Sequence, residues 1–397
     1  EALGKHLTDI FGVSYNDDSK EKVAHIVKVF KYNAIVQNLA PIAGDNYTQT
    51  RITDSVALQH MNRILELALS KEKTTEALTE LFDELGSEVR DADIIRWYGT
   101  DANYYYLPEA LCVPIIKTLL EEKIETEPAE VINRIEELML KHSDNSMMNA
   151  VMDYAVIVAR LYEKALTLGS LTLNTADEYV MRYESDYCFI DQYYRQANET
   201  YFGIDPTCEL FDAVQKVKRG LDQNYSKLCN RMNLEWTKCL KETGGMDEVH
   251  LLRQYNFYDE KIKSVQKKVA VIVSDALRYE VAQELIGELA KSKHIASLKP
   301  TIAMLPSETK YCKPSLLPHR ELKLYGKGEE QDMAVDDHIL DTTQKRSEHL
   351  QIYRNGAICV PFETVAEYNQ EKNREIFKHP LVYIFHDVID KTGHDGN

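Results

Sequence analysis

Residues 267–290 read KKVAVIVSDALRYEVAQELIGELA, an apolar run that stops on an aspartate with a helical pattern directly behind it. Val269 to Val273 are small or β-branched and show no alternation, which predicts a strand buried on both faces. From Tyr279 onward, apolar residues recur at helical spacing. Ser274 and Asp275 fall at the carboxyl end of the predicted strand, where open α/β sheets set ligands and catalytic groups. A helix N-cap is the competing use of Asp275, because Ser and Asp are favoured there on propensity alone. Choosing between the two requires the rest of the chain.

Downstream of this unit, strand-like runs recur at 295–305 (IASLKPTIAML), 356–360 (GAICV) and 381–387 (LVYIFHD), with a helical pattern over 362–378. Strand, helix, strand in that order predicts a mostly parallel sheet covered by helices. Upstream the grammar is helical. Segments 21–40, 55–72, 74–99, 127–142, 150–169 and 208–242 repeat apolar residues every three or four positions, separated by breakers such as GDNYTQ, HSDNS and ETGGMD. A linker-like helix is expected over 247–266. The reading is therefore multidomain: helical regions at 1–150 and 151–261, then an α/β domain from 262 to 397.

The charge of −17 disfavours broad electrostatic adhesion to nucleic acid or anionic membrane, which needs a Lys/Arg surface. No apolar window is long enough to span a bilayer and the start has no signal-peptide pattern, so a cytoplasmic protein with no membrane partner is expected. The 7 cysteines show no CxxC spacing, which argues against a disulfide framework or a thiolate zinc site. The chain begins on Glu1 and stops inside HDVIDKTGHDGN, so it reads as part of a longer protein. Tyrosine-rich pieces at 103–111 and 183–202 suit helix packing or a partner interface better than base stacking, since they lack interleaved Lys and Arg.

Three predicted strand ends carry chemistry. Asp275 is the first. The second is Pro306-Ser307-Glu308-Thr309, which puts two hydroxyls after a strand expected to end at Leu305, at the start of a helix. The third is the tail of the 381–397 run, where His386, Asp387, Asp390, His394 and Asp395 follow a buried strand within ten residues. Such a set, with Gly393 and Gly396 allowing close backbone approach, points to metal binding; oxygen and nitrogen donors suit zinc, manganese or iron. A carboxylate, a hydroxyl nucleophile and an Asp/His cluster at strand ends are the parts of a metal-assisted phosphoryl transfer. Arg278 and Glu280 read equally well as a helical surface pair.

In that order, VAVIVSDALRYEVAQEL, MLPSETKY…SLLPH and VYIFHDVIDKTGHDGN resemble the PglZ domain of bacteriophage exclusion (BREX) defence systems, a member of the alkaline phosphatase superfamily. The resemblance covers residues 262–397 and implies a partial α/β alkaline-phosphatase-like domain. It implies Asp275 as metal ligand, Thr309 as nucleophile and ligand with Ser307 its rival, Asp390 and His394 as a second ligand pair, and His386, Asp387 and Asp395 around them. A divalent metal, zinc or manganese, is the implied cofactor. The intact protein would hydrolyse phosphoesters, with nucleic acid or nucleotides as substrate, and its helical region would meet other bacteriophage exclusion proteins. The superfamily's remaining metal ligands would lie past Asn397, so this stretch is expected to bind metal weakly or not at all and to be a poor catalyst. A non-catalytic scaffold recruiting sister defence proteins is the alternative.

Overall fold

The computed structural model describes residues 19–70, 72–99, 109–140, 146–328 and 331–394. The chain divides into two compact units, one made of Glu1–Leu171 with Phe189–Leu234, the other of Thr172–Cys188 with Glu235–Asn397.

The first unit is helical. Its described helices are α1 (Ser19–Val36), α2 (Ser55–Leu69), α3 (Glu72–Glu84), α4 (Asp91–Tyr98), α5 (Glu109–Thr118), α6 (Pro128–Met139) and α7 (Ser146–Thr167), followed after α8 (Ala176–Arg182) of the second unit by most of α9 (Cys188–Gly203) and α10 (Phe211–Thr243). Amphipathic spacing explains the packing: Val131, Ile135 and Leu138 of α6 are buried where it meets α7, whose Val151, Met152, Ala155 and Ala159 are also buried. The single helix expected over 74–99 is two. At Gly86, backbone closes on the preceding turn so tightly that a Cβ would lie 2.6 Å from the Phe82 carbonyl oxygen, and the chain turns before α4. Of the tyrosine-rich pieces, 103–108 lies outside the described residues. The second supplies Tyr194, which stacks on Tyr225 of α10 with ring centroids 3.6 Å apart. Tyr194 donates to Asp222, and Tyr225 to Asp191.

In the second unit a parallel sheet forms from β1 (Val269–Ser274), β5 (Ile358–Pro361) and β6 (Leu381–His386), in the order β1-β6-β5. The central strand β6 serves both faces. Leu381, Tyr383 and Phe385 join a core with Val271, Leu317, Val335 and Leu350, while Val382 and Ile384 pack with Ile376, Ile358 and Val360. The strand β1 departs from the expectation of two buried faces. It lies at the edge of the described sheet, with Ala270 exposed and Ile272 65% exposed.

Elsewhere in this unit the structure corrects several expectations. No strand occupies 295–305; Ile302 alone bridges to Arg253, and Pro300 has no N–H to offer a ladder. The same contact helps explain why 247–266 is not a helix. Gln254 N–H donates to Ile302 and Ile302 N–H to Leu252, which holds the segment in short turns and extended backbone. Helix α11 (Tyr279–Lys291) follows β1 as expected, and α12 (Thr309–Ser315) begins at the expected hydroxyl. Between α12 and β5 lie an antiparallel meander and a helix that no sequence pattern announced: β2 (Leu322–Tyr325), β3 (Asp332–Val335), β4 (His338–Ile339) and α13 (Thr343–Tyr353). The run 362–378 breaks into α14 (Phe362–Glu367) and α15 (Gln370–Ile376), because Asn369 caps the second by accepting from Lys372 N–H at 2.9 Å. A last helix, α16 (Val388–His394), leaves the end of β6.

Candidate functional site

The parallel pairing of β1 with β6 brings two strand ends together. Ser274 faces His386 in register, and the Asp275 N–H extends the ladder by donating to the His386 carbonyl at 2.9 Å. Beyond the ladder the chain turns sharply. Ala276 takes a left-handed φ of 61°, a conformation that costs a non-glycine residue about 1–2 kcal/mol. That turn leaves Asp275 at the strand mouth, its Oδ1 accepting from Ala276 N–H at 3.1 Å.

Helix α12 supplies the partners. Thr309 and Lys313 stand one helical turn apart and so share a face. The Thr309 hydroxyl donates to Asp275 Oδ2 at 2.9 Å. Lys313 Nζ lies 2.8 Å from that same oxygen and 2.7 Å from Oδ1 of Asp387, the residue that follows β6. The Lys313 side chain is 7% exposed, so the ammonium is enclosed between two carboxylates. From the core below, Tyr383 of β6 donates to the Leu316 carbonyl at 3.1 Å and so ties the end of α12 to the sheet.

Opposing influences act on Asp275. Burial raises its pKa, but hydrogen bonds from Lys313 and Thr309, with the Lys313 charge, hold it below the ordinary aspartate range. His386 Nδ1 is 2.8 Å from Ser274 Oγ, and the ring meets Phe362 edge-on at 4.6 Å. Arg346 of α13 lies over the Phe385 ring, 4.8 Å from its centroid, and its Nε donates to the Leu340 carbonyl. Burial lowers the Arg346 pKa, opposed by the nearby Cys359, Asp387 and Asp341.

Of the residues singled out from sequence, the structure brings together Asp275, Thr309 and Asp387, with His386 at the adjoining strand end. Ser307 is exposed, two residues ahead of α12, and makes no hydrogen bond to Asp275 among the described residues. Asp390 lies in the first turn of α16 and His394 ends that helix. The His394 side chain and Asp395 lie outside the described residues. Glu280 is buried in the first turn of α11, so it is not the surface residue that was expected. Lys313 and Arg346 were missed. Lys313 had one sequence signal, its spacing four residues after Thr309.

Among the described residues no group of three or more His, Cys, Asp or Glu side chains is placed to hold a metal ion. Two carboxylates converge, and an ammonium lies between them. Asp275 Oδ2 already receives the Thr309 hydroxyl and the Lys313 ammonium, and Asp387 Oδ1 receives the same ammonium, so the position between the carboxylates is filled. As folded, these residues do not fit an open divalent site. No helix among the described residues is long and apolar enough to cross a membrane.

Residues 257–397 match the family model described as the BREX system PglZ alkaline phosphatase-like domain. The chain is 25% identical over 291 residues to an alkaline phosphatase-like protein PglZ of Bacillus cereus (strain H3081.97), a match that takes in 64% of this chain and 33% of that protein. It is 34% identical over 148 residues to an alkaline phosphatase-like protein BrxZ of Escherichia coli O9:H4 (strain HS), covering 36% of this chain and 17% of that protein. No solved structure matches the chain. The chain is thus similar to PglZ and BrxZ proteins through the segment that the three motifs marked, and the Bacillus match reaches into the helical part as well. It spans about a third of the length of the first relative and about a sixth of the second.

Proposed function

We propose that the PglZ-like segment belongs to a phage-defence protein whose intact form hydrolyses phosphoesters, with Thr309 as nucleophile. The observation that carries this reading is the Thr309 hydroxyl donating to Asp275 at 2.9 Å, at the mouth of a parallel strand and beside a buried ammonium. In the proposed reaction Thr309 Oγ1 bonds to phosphorus as the ester P–O bond breaks. The hydroxyl proton ends on the leaving alkoxide, and water then cleaves the phosphothreonine and restores Thr309. Asp275, held below the usual aspartate range, is a weak proton acceptor, so it orients the hydroxyl. Lys313, 2.8 Å from the same carboxylate oxygen, supplies positive charge that favours the developing alkoxide.

The domain would begin near residue 262, behind helical regions at 1–150 and 151–261. A divalent ion, zinc or manganese, belongs to the proposal for the intact protein, with Asp275, Thr309, Asp390 and His394 as its ligands and His386, Asp387 and Asp395 around them. Phosphodiesters of nucleic acid or nucleotides are the proposed substrates, in the cytoplasm, and other bacteriophage exclusion proteins are the proposed partners of the helical region. A second reading, a non-catalytic scaffold, is favoured by Lys313 bridging both strand-end carboxylates, an arrangement that needs no substrate.

The test is hydrolysis of bis-p-nitrophenyl phosphate by the intact protein with zinc or manganese, beside Asp275→Ala, Thr309→Ala and Ser307→Ala. A fall of about a hundredfold in the first two, about 3 kcal/mol of transition-state stabilisation, supports the assigned roles. Loss in Ser307→Ala with Thr309→Ala unchanged moves the nucleophile. A folded, metal-loaded and inert protein leaves the scaffold.

A further inference from the structure

Two carboxylates, Asp275 and Asp387, leave adjacent parallel strands and converge on one ammonium, at 2.8 and 2.7 Å. Lys313 is 6% exposed, and nothing at the surface requires a lysine to reach into this position. Burying a long cationic side chain is costly unless its charge is matched, and here it is matched by two carboxylates, one of them the proposed metal ligand Asp275. One ammonium thus bridges the two carboxylates. The Thr309 hydroxyl completes the set around Asp275. Asp275 and Asp387 therefore each have a cationic partner within the chain itself.

We propose that Lys313 is the resident cation of this site and competes with divalent metal for Asp275 and Asp387, so that a metal ion enters only as the ammonium leaves. The ammonium and a metal ion cannot share the position: both are cations, and each needs the same oxygens at bonding distance. Lys313 thus acts as a latch, since binding a metal costs the two ion pairs that the lysine makes. The inference rests on the proposed reading of Asp275 as a metal ligand with Asp387 beside it, but not on catalysis.

The experiment is a Mn²⁺ titration of the 397-residue chain, followed by the electron paramagnetic resonance signal of free Mn²⁺ and by hydrogen exchange of peptides spanning 269–274 and 381–386. It compares the natural chain with Lys313→Met, with Lys313→Gln, which keeps a hydrogen-bond donor should the methionine variant fail to fold, and with Lys313→Gln combined with Asp275→Asn. Expected is an affinity at least tenfold higher in the Lys313 variants, a larger slowing of that exchange by Mn²⁺, and loss of both gains when Asp275→Asn is added. Affinities equal within threefold, no binding in any of the chains, tighter binding by the natural chain, or a gain that survives Asp275→Asn would each overturn the proposal. Turnover plays no part in this readout, so an inert intact protein would sink the hydrolase reading while leaving the latch standing, and equal affinities would do the reverse.

Discussion

Replacing the partners of the Asp275–Lys313 pair one at a time and together should reveal how strongly the two strand ends are joined. The Lys313 side chain is 7% exposed and that of Asp275 19%, so the pair lies between an exposed ion pair, worth about 0–1 kcal/mol, and a fully buried one, whose breaking costs about 3–5 kcal/mol. Asp275→Asn leaves Lys313 with Asp387 as partner and keeps an acceptor for Thr309, so a cost of about 1.5 kcal/mol is expected. Lys313→Met strands two carboxylates and should cost about 3 kcal/mol. In the double variant only Asp387 lacks its cation, so the combined cost should stay near 3 kcal/mol, a coupling of about 1.5 kcal/mol. Because the chain has two compact units, a global melting curve would mix them. Hydrogen exchange of peptides spanning 269–274 and 381–386, read by mass spectrometry, reports opening of this sheet alone. Asp275→Asn should speed exchange there about tenfold, since 1.4 kcal/mol is a factor of ten. Strictly additive effects, with coupling under about 0.5 kcal/mol, would refute the view that Lys313 ties β1 to α12 through Asp275.

Two further outcomes follow from the supports of the site. Tyr383→Phe removes one buried hydroxyl bond to Leu316 with little change in packing, and should cost about 0.5–1.5 kcal/mol, read as faster exchange in peptides covering α12; unchanged exchange would mean that the Tyr383 bond does not anchor this helix. Asp336 has a titration signature: burial raises its pKa, but hydrogen bonds from the Tyr353 hydroxyl and from the N–H groups of Arg320 and Glu321 keep it below the ordinary range. A depressed folded pKa gives stability that is present above the unfolded value, about 3.9, and lost as pH falls through the lower folded value. Hydrogen exchange in peptides spanning 322–339 should therefore be slower in the natural chain than in Asp336→Asn at pH 6, with the difference vanishing as pH drops below the ordinary aspartate range; a constant difference would rule out this carboxylate as the source. Asn is the suitable replacement because Asp336 has a φ of 49°, which Asn tolerates.

How much of this was legible in the sequence depends on where the determining partner lies. Strands β1 and β6 were readable because each is an unbroken apolar run that announces its own burial, though β1 proved to be an edge, which depends on neighbours that the run does not encode. The meander was not readable. Its strands have 4, 4 and 2 residues, and the turn joining the last two is Asp336-Asp337, both at positive φ as a two-residue hairpin of the I′ type requires, but without the Asn-Gly or Asp-Gly that usually marks one. What makes that turn workable is distant: Tyr353, Arg320 and Glu321 satisfy the Asp336 carboxylate.

The site repeats this lesson at higher stakes. Asp275 and Asp387 could be picked out because each ends an apolar run, and Thr309 because it opens a helix; all three signals are local. Lys313 carries no local signal beyond a four-residue spacing, since its meaning comes from Asp275, 38 positions earlier, and Asp387, 74 later. A lysine in a polar stretch reads as a solvated charge until the fold encloses it. The strand ends announced that a cation was needed, and only their pairing in the sheet, with α12 laid across them, identified one that the chain itself provides. The same fact reframes the opening aspartate. Asp275 could have been a cap, but its carboxylate accepts one backbone N–H, from the residue next to it, while its other oxygen holds a hydroxyl and an ammonium brought from another helix. A capping residue serves the helix that follows it. Here α11 begins at Tyr279, after Arg278, which gives no side-chain cap, so Asp275 is committed to Thr309 and Lys313 instead.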